Sequence, residues 1–266
     1  MTAQDSPLAR KLGAYLSLSK AELTVLESFH GERRSFPGGK ELIHEGQPAP
    51  SAFVLFEGWA SSFKVLRDGG RQIVDFQIPG DFLGLSNVLL RKSDHCIESI
   101  TDIKASQFDA ADLFGAIETC PRIASAVLWA ASSDEAAAVE RLVSLGRRDA
   151  LERMAHFLLE LGARLKQVGL ATRQSYACPL SQYHLADALG LSPVHVNRVL
   201  RQLREDGLLT FRNGRVVFDD FDRLVTLCDF DMAYLDYEGP VLKTSSWEAR
   251  KGTKTEATPQ GGTERI

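Results

Sequence analysis

Residues 180–217 spell a helix, a short turn, a second helix and a tight hairpin, an order that leaves a chain few folds to choose from. The first helix, Gln182–Leu189, is launched by Ser181, whose hydroxyl can accept from amides that no earlier carbonyl reaches. It keeps Leu185 and Leu189 on one face, and Gly190 follows where a left-handed residue ends a helix at little cost. Ser192 and Pro193 restart the chain, serine as N-cap and proline at the first helical position, where its missing N–H is no loss. Val196, Val199, Leu200 and Leu203 then form an apolar stripe. Opposite it lie His195, Asn197, Arg198, Arg201 and Gln202, side chains suited to base edges and phosphates in a major groove. Asn213-Gly214 supplies the two positive φ angles of a type I′ hairpin turn, with Arg212 and Arg215 beside it. The pattern predicts a winged helix-turn-helix that binds double-stranded DNA. An αα-hairpin packed inside a larger fold is the alternative.

The net charge of −4 over 266 residues runs against a nucleic-acid partner until it is divided along the chain. Residues 1–146 carry a net −5, residues 147–215 a net +5 and the remainder −4, so the positive charge sits on the helix-turn-helix segment. Nothing approaches the roughly 20 consecutive apolar residues of a membrane span, and the polar first seven residues do not read as a signal peptide. The expected compartment is the cytoplasm. Cys96, Cys120, Cys178 and Cys228 are scattered without a C-x-x-C pair, which supports no metal site and no iron–sulfur cluster held by one short motif. They are expected reduced and semi-buried, with redox sensing by one of them as the alternative.

Upstream, residues 52–56, 59–66, 72–78 and 97–107 read as strands. Glu45-Gly46, Gly58, Asp68-Gly69-Gly70 and Pro79-Gly80-Asp81 punctuate them. Short strands at this spacing argue for a jelly roll or barrel. Before them, Ser19 and Glu22 have capping-box spacing, with Leu23 and Leu26 turned inward.

After Pro121 one long helix is expected to about Leu145. Ala124, Leu128, Ala131, Glu135, Ala138, Leu142 and Leu145 step alternately by four and three, the spacing of a coiled-coil seam. A second stripe, Ile123, Val127, Ala130 and Ala137, is expected to face the sandwich of its own subunit. Either two such helices pair in a homodimer or one packs alone on the sheet. Residues 146–149 read as a hinge, Asp149 caps a helix over 150–166 that buries Met154, Phe157, Leu158 and Leu161, and residues 221–229 form a short closing helix on Leu224 and Leu227.

The wording Leu42-Ile43-His44-Glu45-Gly46, Gly58 and Pro79-Gly80-Asp81-Phe82-Leu83-Gly84, followed by a long helix and a winged helix-turn-helix, resembles the CRP/FNR family of bacterial transcription regulators. The resemblance covers residues 20–225. It implies an α+β chain with an N-terminal jelly-roll β-sandwich of the cyclic-nucleotide-binding kind (1–120), a dimerisation helix (121–146) and a C-terminal winged helix-turn-helix domain (147–230), while the Lys-, Thr-, Ser-, Gly-, Pro- and Glu-rich composition from Gly239 onward, with Trp247 its one aromatic, predicts a disordered tail, assigned to 231–266. It also implies a homodimer, with RNA polymerase as a further partner.

The departures from the family pattern are as informative. Family members that bind cyclic AMP place a glutamate on the ribose and an arginine on the cyclic phosphate. At the corresponding places this chain has Gly84-Leu85-Ser86 and His95-Cys96. Leucine accepts no hydrogen bond, and a neutral histidine replaces a bidentate guanidinium poorly. Cyclic AMP is therefore not the expected effector. The N-terminal cysteine cluster of the oxygen-sensing branch is missing from residues 1–30, and the single His95-Cys96 pair is thin support for haem. These five residues mark the candidate effector pocket, with no cofactor expected.

In the recognition helix, Arg198 matches the family's arginine, while Val194 stands where a glutamate is usual. The resemblance thus implies Ser192, Val194, His195, Asn197, Arg198 and Arg201, with Arg212 and Arg215 of the wing, as the DNA-binding set. Arg198 would read guanine or hold phosphate, His195 and Asn197 would take the glutamate's place in base contact, Val194 would touch a thymine methyl, and Arg201 would hold phosphate. The operator is expected to differ from TGTGA- and TTGAT-type half-sites. A sensor that uses its helix-turn-helix for protein contact is the second reading. An enzyme is not expected, because no nucleophile triad, carboxylate pair, phosphate loop or metal spacing stands out, and His156 and His184 fall on helices as surface or core residues.

Overall fold

The computed structural model describes residues 6–28, 31–48 and 51–235. Two helices come first, α1 (Pro7–Gly13) and α2 (Lys20–Ser28). In the second, Glu22 accepts from the Ser19 amide at 2.6 Å and Ser19 Oγ from the Glu22 amide at 3.3 Å, the reciprocal cap its sequence predicts. α1 was not foreseen. Ser6 caps it, and it buries Leu8 and Leu12 completely.

Eight strands follow: β1 (Arg33–Phe36), β2 (Glu41–Ile43), β3 (Ala52–Glu57), β4 (Ala60–Val65), β5 (Arg71–Gln77), β6 (Phe82–Leu83), β7 (Cys96–Ser99) and β8 (Ile103–Phe108). They form two antiparallel sheets, in the orders β1-β8-β3-β6 and β2-β7-β4-β5, which is the expected sandwich. The run 97–107 is corrected: it is two strands, and the chain changes sheets between them. The β3–β4 link changes sheets at the same corner. There Trp59 N donates to Thr101 Oγ1 at 3.0 Å, and Ile100 N donates to Trp59 O at 2.7 Å. Two crossings that satisfy each other's backbone groups leave no room for a continuous strand.

α3 (Ala110–Thr119), also unforeseen, leads into α4 (Pro121–Arg147). Ile123, Val127, Ala130 and Ala137 of α4 are buried as expected, and Ala126 is buried with them. The other stripe is largely uncovered, with Leu128 at 67% and Leu142 at 71% exposure. The hinge is shorter than read, because Gly146 lies within the last turn of α4. Only Arg148, in extended conformation, separates it from Asp149, which makes a full capping box for α5 (Ala150–Gln167).

The C-terminal domain continues through β9 (Ser175–Ala177), α6 (Gln182–Leu189), α7 (Pro193–Glu205), β10 (Leu209–Arg212), β11 (Arg215–Phe218) and α8 (Phe221–Cys228). β9 was missed; it adds a third strand to the wing by pairing with β11. The tail assignment is corrected at its start: a 3-10 turn, Ala233–Leu235, buries Leu235, and Tyr234 Oη donates to buried Glu160 at 2.9 Å. The rest of the assigned tail, 236–266, lies outside the described residues.

The sandwich and the C-terminal domain share a core. Phe76 of β5 packs on Phe157 of α5 with ring centroids 5.6 Å apart. Beside them Arg164 of α5 donates to Phe76 O and Asp81 Oδ2, each at 2.9 Å, and to Asp75 Oδ1 at 3.2 Å. Lys11 of α1 holds the other oxygen of Asp81 at 2.7 Å. Burial pushes the Asp81 carboxyl up, but Lys11 and Arg164 outweigh it and hold the group below its ordinary range. The β4–β5 hairpin also reaches α6, through Arg71 Nε to Asp187 Oδ2 (2.6 Å) and Gln72 Nε2 to Ala188 O (3.1 Å).

Candidate nucleic-acid interface and sensor cleft

α6 and α7 are set by their caps. Ser181 Oγ accepts from His184 N, and Gly190 ends α6 at φ 63°. Ser192 Oγ accepts from His195 N, with Pro193 in the first turn of α7. Val196, Val199 and Leu203 anchor α7 in the core, and Leu200 is half-buried. That leaves Ser192, Val194, Asn197, Arg198 and Arg201 exposed on the outer face, with His195 half-buried at its edge. Val194 is 70% exposed, an apolar side chain held out at the helix tip.

The wing turns at Asn213 (φ 52°) and Gly214 (φ 69°), as the type I′ reading requires. Arg212 and Arg215 pair across its last register and are both exposed. Arg215 also donates to Ser175 Oγ at 3.2 Å. A groove of about 400 Å³ separates the wing from the start of α6, lined in part by Gln182, Tyr183, Leu200, Phe211 and Arg212.

Gln182 and Asn197 exchange two amide hydrogen bonds, Gln182 Nε2 to Asn197 Oδ1 at 2.5 Å and Asn197 Nδ2 to Gln182 Oε1 at 2.6 Å. The partners are 15 residues apart on different helices, so only the angle between α6 and α7 brings them together.

In the sandwich, Gly84, Leu85, Ser86 and His95 are gathered on one cleft of about 360 Å³. Cys96 is not on it; it is buried on β7, where burial raises its thiol and it accepts from Glu45 N at 3.4 Å. The cleft's other wall is α4, through Leu128, Ala131, Asp134, Ala138 and Arg141. Asp75 and Gln77 of β5 also line it, and the Oε1 of buried Gln77 has no hydrogen-bond partner. Arg141, the guanidinium on this cleft, is held by Asp75 (2.6 Å) and Glu160 (3.0 Å) and donates to Val74 O. Leu85 and His95 line this cleft where the family resemblance places a ribose-binding glutamate and a phosphate-binding arginine, and Arg141 is already paired with two carboxylates.

Burial raises the thiols of Cys178 and Cys228 to about 12, which keeps them as unreactive thiols near neutral pH. Among the described residues no group of three metal-ligating side chains stands together, and no helix is long and apolar enough to cross a membrane.

A basic helix-turn-helix and wing joined to a jelly-roll β-sandwich define a helix-turn-helix transcription regulator. Residues 33–120 match the family model for a cyclic nucleotide-binding domain, and residues 152–227 match that for a Crp-like helix-turn-helix domain. The chain is 32% identical over 211 residues to the nitrogen fixation regulation protein FixK of Bradyrhizobium diazoefficiens, covering 79% of this chain and 87% of that one. It is 32% identical over 173 residues to the transcriptional activatory protein AadR of Rhodopseudomonas palustris, covering 65% and 71%. Among solved structures it is similar to FixK2 from Bradyrhizobium japonicum, with a TM-score of 0.67 at 30% identity, covering 74% of this chain and 96% of that one. The chain belongs to the CRP/FNR family.

Proposed function

We propose that this regulator acts as a homodimer on a roughly palindromic operator, with one α7 in each of two successive major grooves. The observation that carries this reading is the division of α7 into a buried stripe and an outer face bearing Val194, Arg198 and Arg201. Helices related by a two-fold axis meet grooves about 34 Å apart. The uncovered α4 seam supports the dimer, since Leu128 and Leu142 otherwise leave apolar surface in water. Arg198 reads guanine through two parallel hydrogen bonds, Val194 contacts a thymine methyl, His195 borders both, and Arg201, Arg212 and Arg215 hold phosphates.

The effector is other than cyclic AMP, and the sensory cleft works without haem or an iron–sulfur cluster; the poor fit of Leu85, His95 and Arg141 to a cyclic phosphate supports the first of these. RNA polymerase is the further partner of the DNA-bound dimer. Selection of sites from random DNA tests the operator: half-sites unlike TGTGA and TTGAT are expected, and recovery of either motif unaltered overturns that part. Arg198→Ala should relax preference at one base pair per half-site, costing about 1–3 kcal/mol there. Arg201→Ala should weaken all sequences alike.

A further inference from the structure

Asn197 sits on the recognition face with an amide, the group that reads adenine by accepting from N6 and donating to N7 at once. That double contact needs the oxygen and a hydrogen on the same edge of the amide. In this protein both are engaged by Gln182, in a closed ring of two hydrogen bonds. The second Nδ2 hydrogen is directed back to Pro193 O at 3.3 Å, so each amide hydrogen of Asn197 has an acceptor. Gln182 is different. One of its Nε2 hydrogens enters the ring, and the planarity of the amide turns the other away from Asn197. Gln182 opens α6, is exposed, and lines the groove toward the wing arginine Arg212.

We infer that Asn197 is a positioning residue and not a base reader: it holds Gln182 so that the free Nε2–H of Gln182 donates to a DNA phosphate. This rests on the DNA-binding reading above. Base choice then falls to Val194, His195 and Arg198, and the Gln182–Asn197 pair contributes affinity without sequence preference.

The test is a double-mutant cycle on the full-length chain, Gln182→Ala, Asn197→Ala and both together. Affinity for the selected operator is measured at fixed salt, and sites are selected from random DNA with the wild type and with Asn197→Ala. Far-UV circular dichroism checks the fold of each variant. Two singles that each lose several-fold, with a double variant no weaker than either, are the expected result, together with one half-site selected by both proteins. The inference is overturned if the single losses multiply in the double variant, if Gln182→Ala binds as tightly as the wild type, or if Asn197→Ala loses a base preference that the wild type has. A wild-type chain that binds no duplex overturns the DNA reading itself, and the inference falls with it.

Discussion

Arg164→Met removes the charge and the fork of a buried arginine while keeping most of its length. Arg164 is only 8% exposed and ties α5 to the sandwich through Phe76 O, Asp81 and Asp75. Without it Asp81 keeps Lys11 and the Ile78 amide, but a buried carboxylate loses its second cation and Phe76 O loses a donor. Breaking a buried pair by removing one partner costs about 3–5 kcal/mol, most of it the penalty of the charge left behind. At roughly 2–4 °C per kcal/mol for a chain of this size, Tm should fall by about 6–20 °C. Differential scanning calorimetry reads the shift, and because Arg164 joins the two domains the single transition should broaden or split. Arg173→Met is the control. Its pair with Asp222 is shorter still at 2.7 Å, but its side chains are 57% and 84% exposed, so the loss should stay below about 1 kcal/mol. An Arg164→Met shift no larger than that of Arg173→Met would refute the argument that burial, and not distance, sets the strength of these pairs.

Three further outcomes follow from particular residues. Gly58 and Gly69 share φ +84°, but a Cβ on Gly58 would lie 2.2 Å from Asp102 O while one on Gly69 meets nothing within 4 Å. Chemical denaturation should therefore show Gly69→Ala losing about 1–2 kcal/mol for the left-handed backbone alone, and Gly58→Ala losing far more; equal losses would contradict the corner packing. His156 is buried, and burial followed by Arg148 lowers its pKa below the ordinary 6.5. A group depressed in the folded state protects stability above its unfolded pKa and loses it as pH falls toward its folded one. Stability should thus drop from pH 6.5 downward by up to about 1.4 kcal/mol per pH unit, and His156→Gln should flatten that slope in urea melts. Finally, Leu128→Glu with Leu142→Glu should convert dimer to monomer in sedimentation while leaving helical content unchanged; a wild type already monomeric, or a variant still dimeric, would refute the seam.

The elements legible in the sequence are those whose determinants lie within about four residues of one another. Ser181, Gly190, Ser192-Pro193 and Asn213-Gly214 each act on their own helix end or turn, and each stands where its local chemistry requires. The two stripes of α4 were readable for the same reason, since a helix repeats its faces every three to four residues. The failures were of another kind. Residues 97–107 look like one strand because Ile100, Thr101 and Asp102 carry no breaker, and only the β3–β4 crossing beside them forces the chain between sheets. The candidate cleft was half legible: Gly84, Leu85, Ser86 and His95 reach it, but Cys96, adjacent to His95, belongs to the core with Phe63 and Ile73, on the face of its strand opposite Ile97.

By itself, then, the sequence determined a winged helix-turn-helix, a β-rich domain of the jelly-roll kind and a long helix with an apolar stripe, because capping, turn chemistry and periodicity are local. The tertiary structure alone decided what those parts do to one another. It joined Lys11, Asp81 and Arg164 from positions as much as 153 residues apart into the bridge between domains. It also closed the amide of Asn197 onto Gln182 on the surface offered to DNA. Contacts at such separation depend on how sheets and helices stack, and no pattern of neighbouring residues encodes that.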